Sequence, residues 1–488
     1  MPGVVISTAL RTGPSVPLVN AASQAFFVGL TKRGPSNEAV LCTSLEEFEN
    51  VFGDYATWSL LQPTVEMFFE EGGTQCYIAR VVGPDADTGT LALDDSDGDP
   101  SIVLNANGAG SWSSTIKAQV VAGTVGSSFA VRILLNDVQI ATTGNCTSAA
   151  EAIGKLNLHA NASKYIVASA GSSSNVPAVM ASAVALSAGD DDVAAVVDSH
   201  YVAALNLFND ALGTGAVACP ESYGQSVYSA LLAHANQYSR IAILHGASNA
   251  TVSGIKTFAQ TIIANEENLE HGALYYPWVY APTAVNGVNR LLPPDGFVAA
   301  KRSKVVNNSG AHIPAAGVAS AASFVNGVVT DIDRTNGDSL DDQSVNAIRV
   351  IANTVRIYGA RSLSQDTTNF RYITSQDVVN GIVTDAYAAL EPLVFSPIDG
   401  RGAVFAGIEA RLISVLESYR IGGALFEAFN SNGQRLDYGY TVKCDATLNP
   451  ASQLAEGRIK AKVGVRVSSV GDKIDVEIVK SSLTASVT

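Results

Sequence analysis

The chain has 488 residues, 47% of them apolar and only 15% charged, with a formal net charge of −15. That apolar content excludes a disordered chain, and at roughly 100–200 residues per domain the length fits about three domains. So few charges cannot coat the whole surface, which predicts that part of it is buried against other subunits.

The charge is unevenly spread. Gly83 to His200 carries 12 acidic and 4 basic side chains, a balance of −8, whereas Arg401 to the end carries 11 basic and 9 acidic, a balance of +2. The acidic middle segment is expected to face solvent. There is no basic run and no aromatic-basic interleaving, so no nucleic-acid partner is expected. Cys42, Cys76, Cys146, Cys219 and Cys444 make an odd count without a CxxC. This points to small buried hydrophobes made in a reducing compartment, not to disulfides or zinc. The N-terminus lacks the apolar core of a signal peptide. A long uncharged stretch, Tyr165 to Gly189, is rich in Ser, Gly and Asn and contains Pro177, so no membrane insertion is expected.

In chain order, residues 1–20 read as an extended arm. Pro2, Gly3, Gly13, Pro14 and Pro17 forbid a helix, and Val4-Val5-Ile6 is a short strand without a nearby partner. Ala25 to Leu30 reads as a buried strand. Ser44 and Glu47 form a capping box for a short helix with Leu45, Phe48 and Phe52 inward and Gly53 at its end. Leu61, Val65, Phe68 and Phe69 repeat at helical spacing before Gly72-Gly73, and Cys76 to Val82 is the next strand. Asp, Ser, Gly and Ala then dominate residues 83–200. This is a mainly β insertion with strands at Ile102 to Leu104, Thr115 to Val121 and Phe129 to Leu135, and one helix near Ala149 to Leu158.

From about residue 215 the pattern is β-α-β-α-β. The strands are Val217 to Cys219, Ile241 to Leu244 and Ala273 to Val279, the last broken by Pro277. The helices are Ser226 to Gln237 and Thr251 to Ala264. Such alternation predicts a parallel sheet with helices on its faces. Two further helices are expected, Gln376 to Leu390 with Ser375 as N-cap, and Gly402 to Tyr419. Two strands close the chain. In Arg458 to Val467 the basic Arg458, Lys460, Lys462 and Arg466 alternate with the apolar Ile459, Ala461, Val463, Val465 and Val467. In Ile474 to Val479 the acidic Asp475 and Glu477 face opposite Ile474, Val476 and Ile478.

Catalytic constellations are mostly missing. No phosphate loop, HExxH or GxSxG occurs, and no two histidines lie three or four residues apart. Asp87-Thr88-Gly89 and His245-Gly246 look like two thirds of a subtilisin-type triad. No serine stretch follows to complete it, and Asp87 lies in the insertion. No enzymatic activity, metal or cofactor is expected. The terminal strands say more. They form either a hairpin of Arg458–Val467 with Ile474–Val479, or edges that complete the sheet of a neighbouring copy together with Val4, Val5 and Ile6. The strand-exchange residues are then Ile459, Val463, Val465, Ile474, Val476 and Ile478.

These pieces resemble the tail sheath proteins of contractile phages and related injection machines. The likeness begins at Pro2-Gly3-Val4 and continues through Phe26 to Pro35, Ser44 to Gly53 and Phe68 to Gly73, leading into Cys76 to Val81. Its most specific piece is Ala273-Leu274-Tyr275-Tyr276-Pro277-Trp278. Pro293 to Gly296, Ile313 to Gly317, Ile348-Arg349, Ile357 to Leu363, Phe370 to Ile373 and Val442 to Asp445 follow in family-like order. The chain departs from the pattern at Tyr358, where the family often has Trp, and in a last strand without Phe. Which terminal strand is exchanged therefore stays open.

The resemblance implies an α/β multidomain protein. Residues 21–82 and 201–370 would be a parallel-sheet core of subtilisin-like topology without catalysis. Residues 83–200 would be an outward-facing mainly β insertion. Residues 371–488 would be a tube-proximal α+β domain with an exchanged terminal strand. It further implies a structural sheath subunit that forms stacked rings with copies of itself, surrounds a tail tube protein, and meets baseplate and tail terminator proteins. The sheath would contract to drive the tube through a cell envelope, in a virion assembled in the bacterial cytoplasm. A headless tailocin or an extracellular injection system is the alternative, and a hydrolase a remote one. Arg411 and Arg420, on the polar side of their helix, are expected to contact the tube.

Overall fold

The computed structural model describes residues 23–282, 288–398 and 401–472. The strand candidates Val4 to Ile6 and Ile474 to Ile478 lie outside the described residues.

The first core segment holds β1 (Ala25–Leu30), β2 (Val40–Cys42), α1 (Leu45–Phe52), α2 (Leu61–Glu70) and β3 (Cys76–Val81). α1 starts where the capping box places it. The Ser44 side chain accepts from the Glu47 N–H, and Gly53 closes the helix at φ +86°, a conformation glycine adopts without steric penalty. The insertion follows, with β4 (Thr90–Asp94), β5 (Pro100–Ala106), β6 (Ile116–Ala122), β7 (Phe129–Leu135), β8 (Val138–Thr142), α3 (Ala149–Leu158), β9 (Ile166–Ala170) and β10 (Val184–Ala185). Its strands form two antiparallel sheets, β4-β5-β9 and β10-β6-β7-β8. They enclose a hydrophobic cluster of their own, from Leu93 to Leu186.

The chain then returns to the core with α4 (Asp198–Leu205), β11 (Gly215–Ala218), α5 (Gln225–Gln237), β12 (Arg240–His245), α6 (Val252–Asn265) and β13 (Gly272–Tyr276). A cis Tyr276–Pro277 peptide separates β13 from β14 (Val279–Pro282). β15 (Asn289–Leu292), α7 (Asp295–Ser309), β16 (Gly327–Val328), α8 (Arg334–Asp341), β17 (Val345–Ile351) and β18 (Thr354–Tyr358) complete it. The main sheet has eight strands in the order β18-β17-β13-β12-β11-β1-β3-β2. The six inner strands are parallel, and each outer strand runs antiparallel to its neighbour.

Side chains alternate across this sheet. Phe27, Ile78, Ile243 and Ile348 join a cluster with α1, α2 and α7. Phe26, Ala79, Leu244 and Val345 join the opposite cluster with α4, α5 and α6. Both faces are covered, which is why these strands read as continuous apolar runs.

The last part contains α9 (Ile373–Leu390), α10 (Ala403–Ile421), β19 (Ala428–Phe429), β20 (Arg435–Asp437), β21 (Tyr440–Lys443), α11 (Ala451–Ala455) and β22 (Lys462–Val465). Two sequence expectations are corrected here. α9 begins at Ile373 after Tyr372, so Ser375 is its third residue and is buried. The first turns of α9 dock into the core, and that burial overrides the capping signal. The expected strand from Arg458 is regular only over Lys462–Val465. The buried Asn449 side chain donates to the Lys460 carbonyl at 2.9 Å and accepts the Lys460 N–H at 2.6 Å. It thus takes both backbone groups a ladder would need. β22 pairs antiparallel with β21, Val463 opposite Val442.

Candidate assembly surface

A strand can be added to a sheet only where an edge has free backbone groups. The main sheet closes its β18 edge within the chain. Ser320 Oγ accepts the Ile357 N–H at 3.0 Å and donates to the Ile357 carbonyl at 3.1 Å. The Ala322 N–H donates to the Val355 carbonyl at 2.9 Å. The other edge, β2, is three residues long.

The C-terminal sheet differs. β21 pairs only with β22 among the described residues. The far side of β22 is engaged just beyond its end, where the Phe426 N–H donates to the Arg466 carbonyl at 2.8 Å and the Ser468 N–H to the Ala424 carbonyl at 2.9 Å. The outer edge of Tyr440–Lys443 and the flank of Lys462–Val465 are open among the described residues. The sheet rests on the cluster around Leu416 through Tyr440, Val442 and Val465, and a two-stranded sheet needs such support to persist in water.

The packing beneath it is thin. One hydrophobic cluster here has five buried members (Val378, Ile382, Leu416, Ala424, Leu425), and the next has three (Ile408, Leu412, Cys444). Every exposed phenylalanine among the described residues lies in this unit: Phe395, Phe426 (56% exposed) and Phe429 (52%). Ion pairs hold the surface together instead. Arg420 donates to Glu417 at 2.7 and 2.9 Å and to Glu427 at 2.8 Å. The guanidinium and the Tyr440 hydroxyl hold the Glu417 carboxyl below its usual range. Arg466 reaches Asp437 at 3.1 Å.

Of the residues singled out from sequence, Ile459 and Ala461 pack on the cluster around Leu412. Val465 and Val467 pack on the cluster around Leu416, and Val463 is 36% exposed. Arg420 pairs with Glu417 and Glu427, and Arg411 Nη1 donates to the Ala389 carbonyl at 2.7 Å. The exposed phenylalanines and the edge closure by Ser320 carry no sequence pattern. Only the tertiary arrangement reveals them.

The protease-like pieces do not meet as a triad. Asp87 pairs with Asp190 in the insertion's neck. His245, at the end of β12, is 1% exposed and its Nδ1 lies 2.9 Å from Asp295, 0% exposed, at the start of α7. The His245 N–H donates to the Tyr228 hydroxyl at 2.9 Å, and Trp278 Nε1–H to the Gly246 carbonyl at 2.8 Å. The histidine is thus sealed in as a structural tie between β12 and α7. All five cysteines are free and buried. Among the described residues no cluster of His, Cys, Asp and Glu is placed to hold a metal ion. No described helix is long and apolar enough to cross a membrane.

The chain shares its fold with solved sheath proteins of contractile tails and injection systems. It is similar to the sheath tail protein Lin1278 from Listeria innocua, with a TM-score of 0.63 at 14% identity, over 87% of this chain and 89% of that one. It is similar to the helical sheath of the anti-feeding prophage in the contracted state, with a TM-score of 0.54 at 15% identity over 99% of both chains. A third likeness is to the contracted PVC sheath complex of an extracellular contractile injection system, with a TM-score of 0.53 at 16% identity, over 99% of this chain and 98% of that one. No family model matches the chain, and no curated protein matches it in sequence.

Proposed function

We propose that the chain is the structural subunit of a contractile sheath. It polymerises with copies of itself around a tail tube and, on release, shortens to drive the tube through a cell envelope. The observation that carries this is the contrast between edges. The large sheet is closed at its β18 edge by Ser320 and Ala322 and ends at its other edge in the three-residue β2, whereas the two-stranded sheet of Tyr440–Lys443 and Lys462–Val465 offers open flanks over a thin core. Strands from neighbouring copies fill such a site. Val4 to Ile6 supplies one, and Ile474 to Ile478 the other. Head-to-tail donation does not close on itself, so a helical polymer is the natural product.

The core has subtilisin-like topology without its chemistry, and the acidic insertion points away from the tube. Work comes from interface free energy between copies, with no nucleotide, metal or catalytic step. Arg411 and Arg420 face the tube protein, and baseplate and terminator proteins bound the polymer's ends. The subunit is made in the bacterial cytoplasm and works in a phage tail. The likeness to injection-system sheaths favours a headless particle as a second reading.

Electron microscopy of the purified full-length protein tests the proposal. Tubes or ring stacks are expected, and removal of residues 1–20, or of everything after Val470, leaves soluble subunits that do not polymerise. Tubes formed by either truncation would sink the strand-exchange model. Charge reversal at Arg411 and Arg420 without loss of tube binding would remove them from the tube surface.

A further inference from the structure

The route of the chain after β22 carries a second inference, which rests on the strand-donation reading above. Among the described residues, the last backbone hydrogen bond to the C-terminal unit is Ser468 N–H to the Ala424 carbonyl. Four residues later the chain is back on the core, where Asp472 Oδ2 lies 2.9 Å from Arg361 Nη2. Arg361 follows β18, and its side chain is 4% exposed. Asp341, at the end of α8, grips it through Nε at 2.6 Å and Nη2 at 2.5 Å. The guanidinium lies 5.0 Å from the Tyr372 ring centre, and burial together with the neighbouring Asp472 pushes the Tyr372 hydroxyl up to about 12. The donor fork is therefore fixed before Asp472 arrives.

We propose that Arg361, Tyr372 and Asp472 form a latch that fixes the root of the C-terminal segment on the core, so that the segment is presented from a set position to a second copy of this chain. An exposed ion pair between two free side chains contributes little. Here one partner is buried and already immobilised by Asp341, so only the aspartate has to be ordered. The latch pre-orders residues 469–472 before a neighbour binds, which lowers the entropic cost of donation. It also changes where load goes. Without it, tension on a donated strand would peel the short β21–β22 ladder one bond at a time. With it, tension ends on a guanidinium tied to the main sheet.

The test compares Asp472→Ala, Asp472→Glu and a chain truncated after Asp472, each read by the protein concentration at which half the subunits sediment as polymer. Asp472→Ala is expected to raise that concentration about five-fold, the scale of one lost charge-assisted hydrogen bond, with an unchanged melting temperature. Asp472→Glu recovers most of the loss. The truncated chain, which keeps the latch and lacks the tail, does not polymerise. A midpoint for Asp472→Ala within two-fold of wild type overturns the latch and leaves strand donation standing. Normal polymerisation of the truncated chain overturns donation, and the latch with it.

Discussion

Arg302 in α7 and Asp377 in α9 form a buried ion pair, Nε to Oδ2 at 3.1 Å with a second, shorter contact from Nη2 to Oδ1, that ties the core to the C-terminal unit. α9 is the element they fix. Its first half, including Val378, Asn380 and Ile382, is buried, and Asn380 Nδ2 donates to the Arg240 carbonyl at 3.3 Å. Its second half exposes Val383 and Tyr387. One helix thus serves two bodies.

Breaking this pair from one side should cost more than removing it. Arg302→Met leaves a carboxylate buried without its cation, and the expected loss is about 3–5 kcal/mol of local stability. Arg302→Met combined with Asp377→Leu leaves no buried charge and should lose less. Amide hydrogen exchange in α9 reads both. Equal loss in the single and double variants would refute the assignment.

Glu221 supplies a pH dependence. Its carboxylate accepts from Leu60 N–H at 3.0 Å, Leu61 N–H at 3.1 Å and Ser59 Oγ at 3.2 Å, and so caps α2 from a distant segment. Burial outweighs these hydrogen bonds and raises its pKa from 4.5 to about 7. A carboxyl with a raised folded-state pKa adds stability that is full below about pH 4.5 and is lost as pH rises through about 7. The melting temperature should therefore carry a falling component between those values, and Glu221→Gln should remove it. A Glu221→Gln profile with the wild-type slope would contradict this.

Much of the core was legible because its rules are local. The capping box at Ser44, the apolar stripe from Leu61 to Phe68 and the β-α-β-α-β alternation after Gly215 each report a structure made by near neighbours. Legibility stopped where distant residues decide. Ser375 resembles a cap, yet the helix starts earlier because its first turn finds a buried seat. Arg458 to Ala461 alternates like a strand, yet Asn449 intercepts Lys460. His245 looked like half of a catalytic pair, but its actual partner, Asp295, sits in a helix start with no protease signature. The candidate assembly surface is harder still, since the open side of Tyr440–Lys443 is defined by which of the described segments do not reach it.

The insertion's attachment gives a sharper test. Arg80, 1% exposed in β3, donates to the Gly34 carbonyl at 2.7 Å, to the Ala109 carbonyl at 2.9 Å and to Asp191 at 2.5 Å, bolting the turn after β5 and the return end of the insertion to the core. Gly108 lies in this joint at φ +119°, and an added Cβ would sit 2.3 Å from the Gly34 oxygen. Gly108→Ala should force the joint apart, and Arg80→Met should leave the Gly34 carbonyl and Asp191 unpaired, the Ala109 carbonyl keeping only its bond from Trp112. Both should speed proteolysis near residues 83 and 190 while hydrogen exchange within β6 and β7 stays slow, because the insertion keeps its own core. Loss of protection throughout the insertion would mean that it depends on the joint to fold.

The apolar surface of the C-terminal unit separates assembly from folding. Phe426, whose N–H donates to the Arg466 carbonyl, and Phe429 at the end of β19 are each more than half exposed in the single chain. Exposed aromatics are the residues most often found at the energetic centre of interfaces. Phe426→Asp and Phe429→Asp remove little buried area from the subunit, so each should shift its stability by less than about 1 kcal/mol. In a polymer the same aspartate would be desolvated against a neighbour, at a cost of about 2–4 kcal/mol per interface. Subunits carrying either change should melt as wild type and sediment as monomers at concentrations where wild type is fully polymerised. Normal tubes from the double variant would show that this face looks outward, and would move the contact between copies elsewhere on the chain.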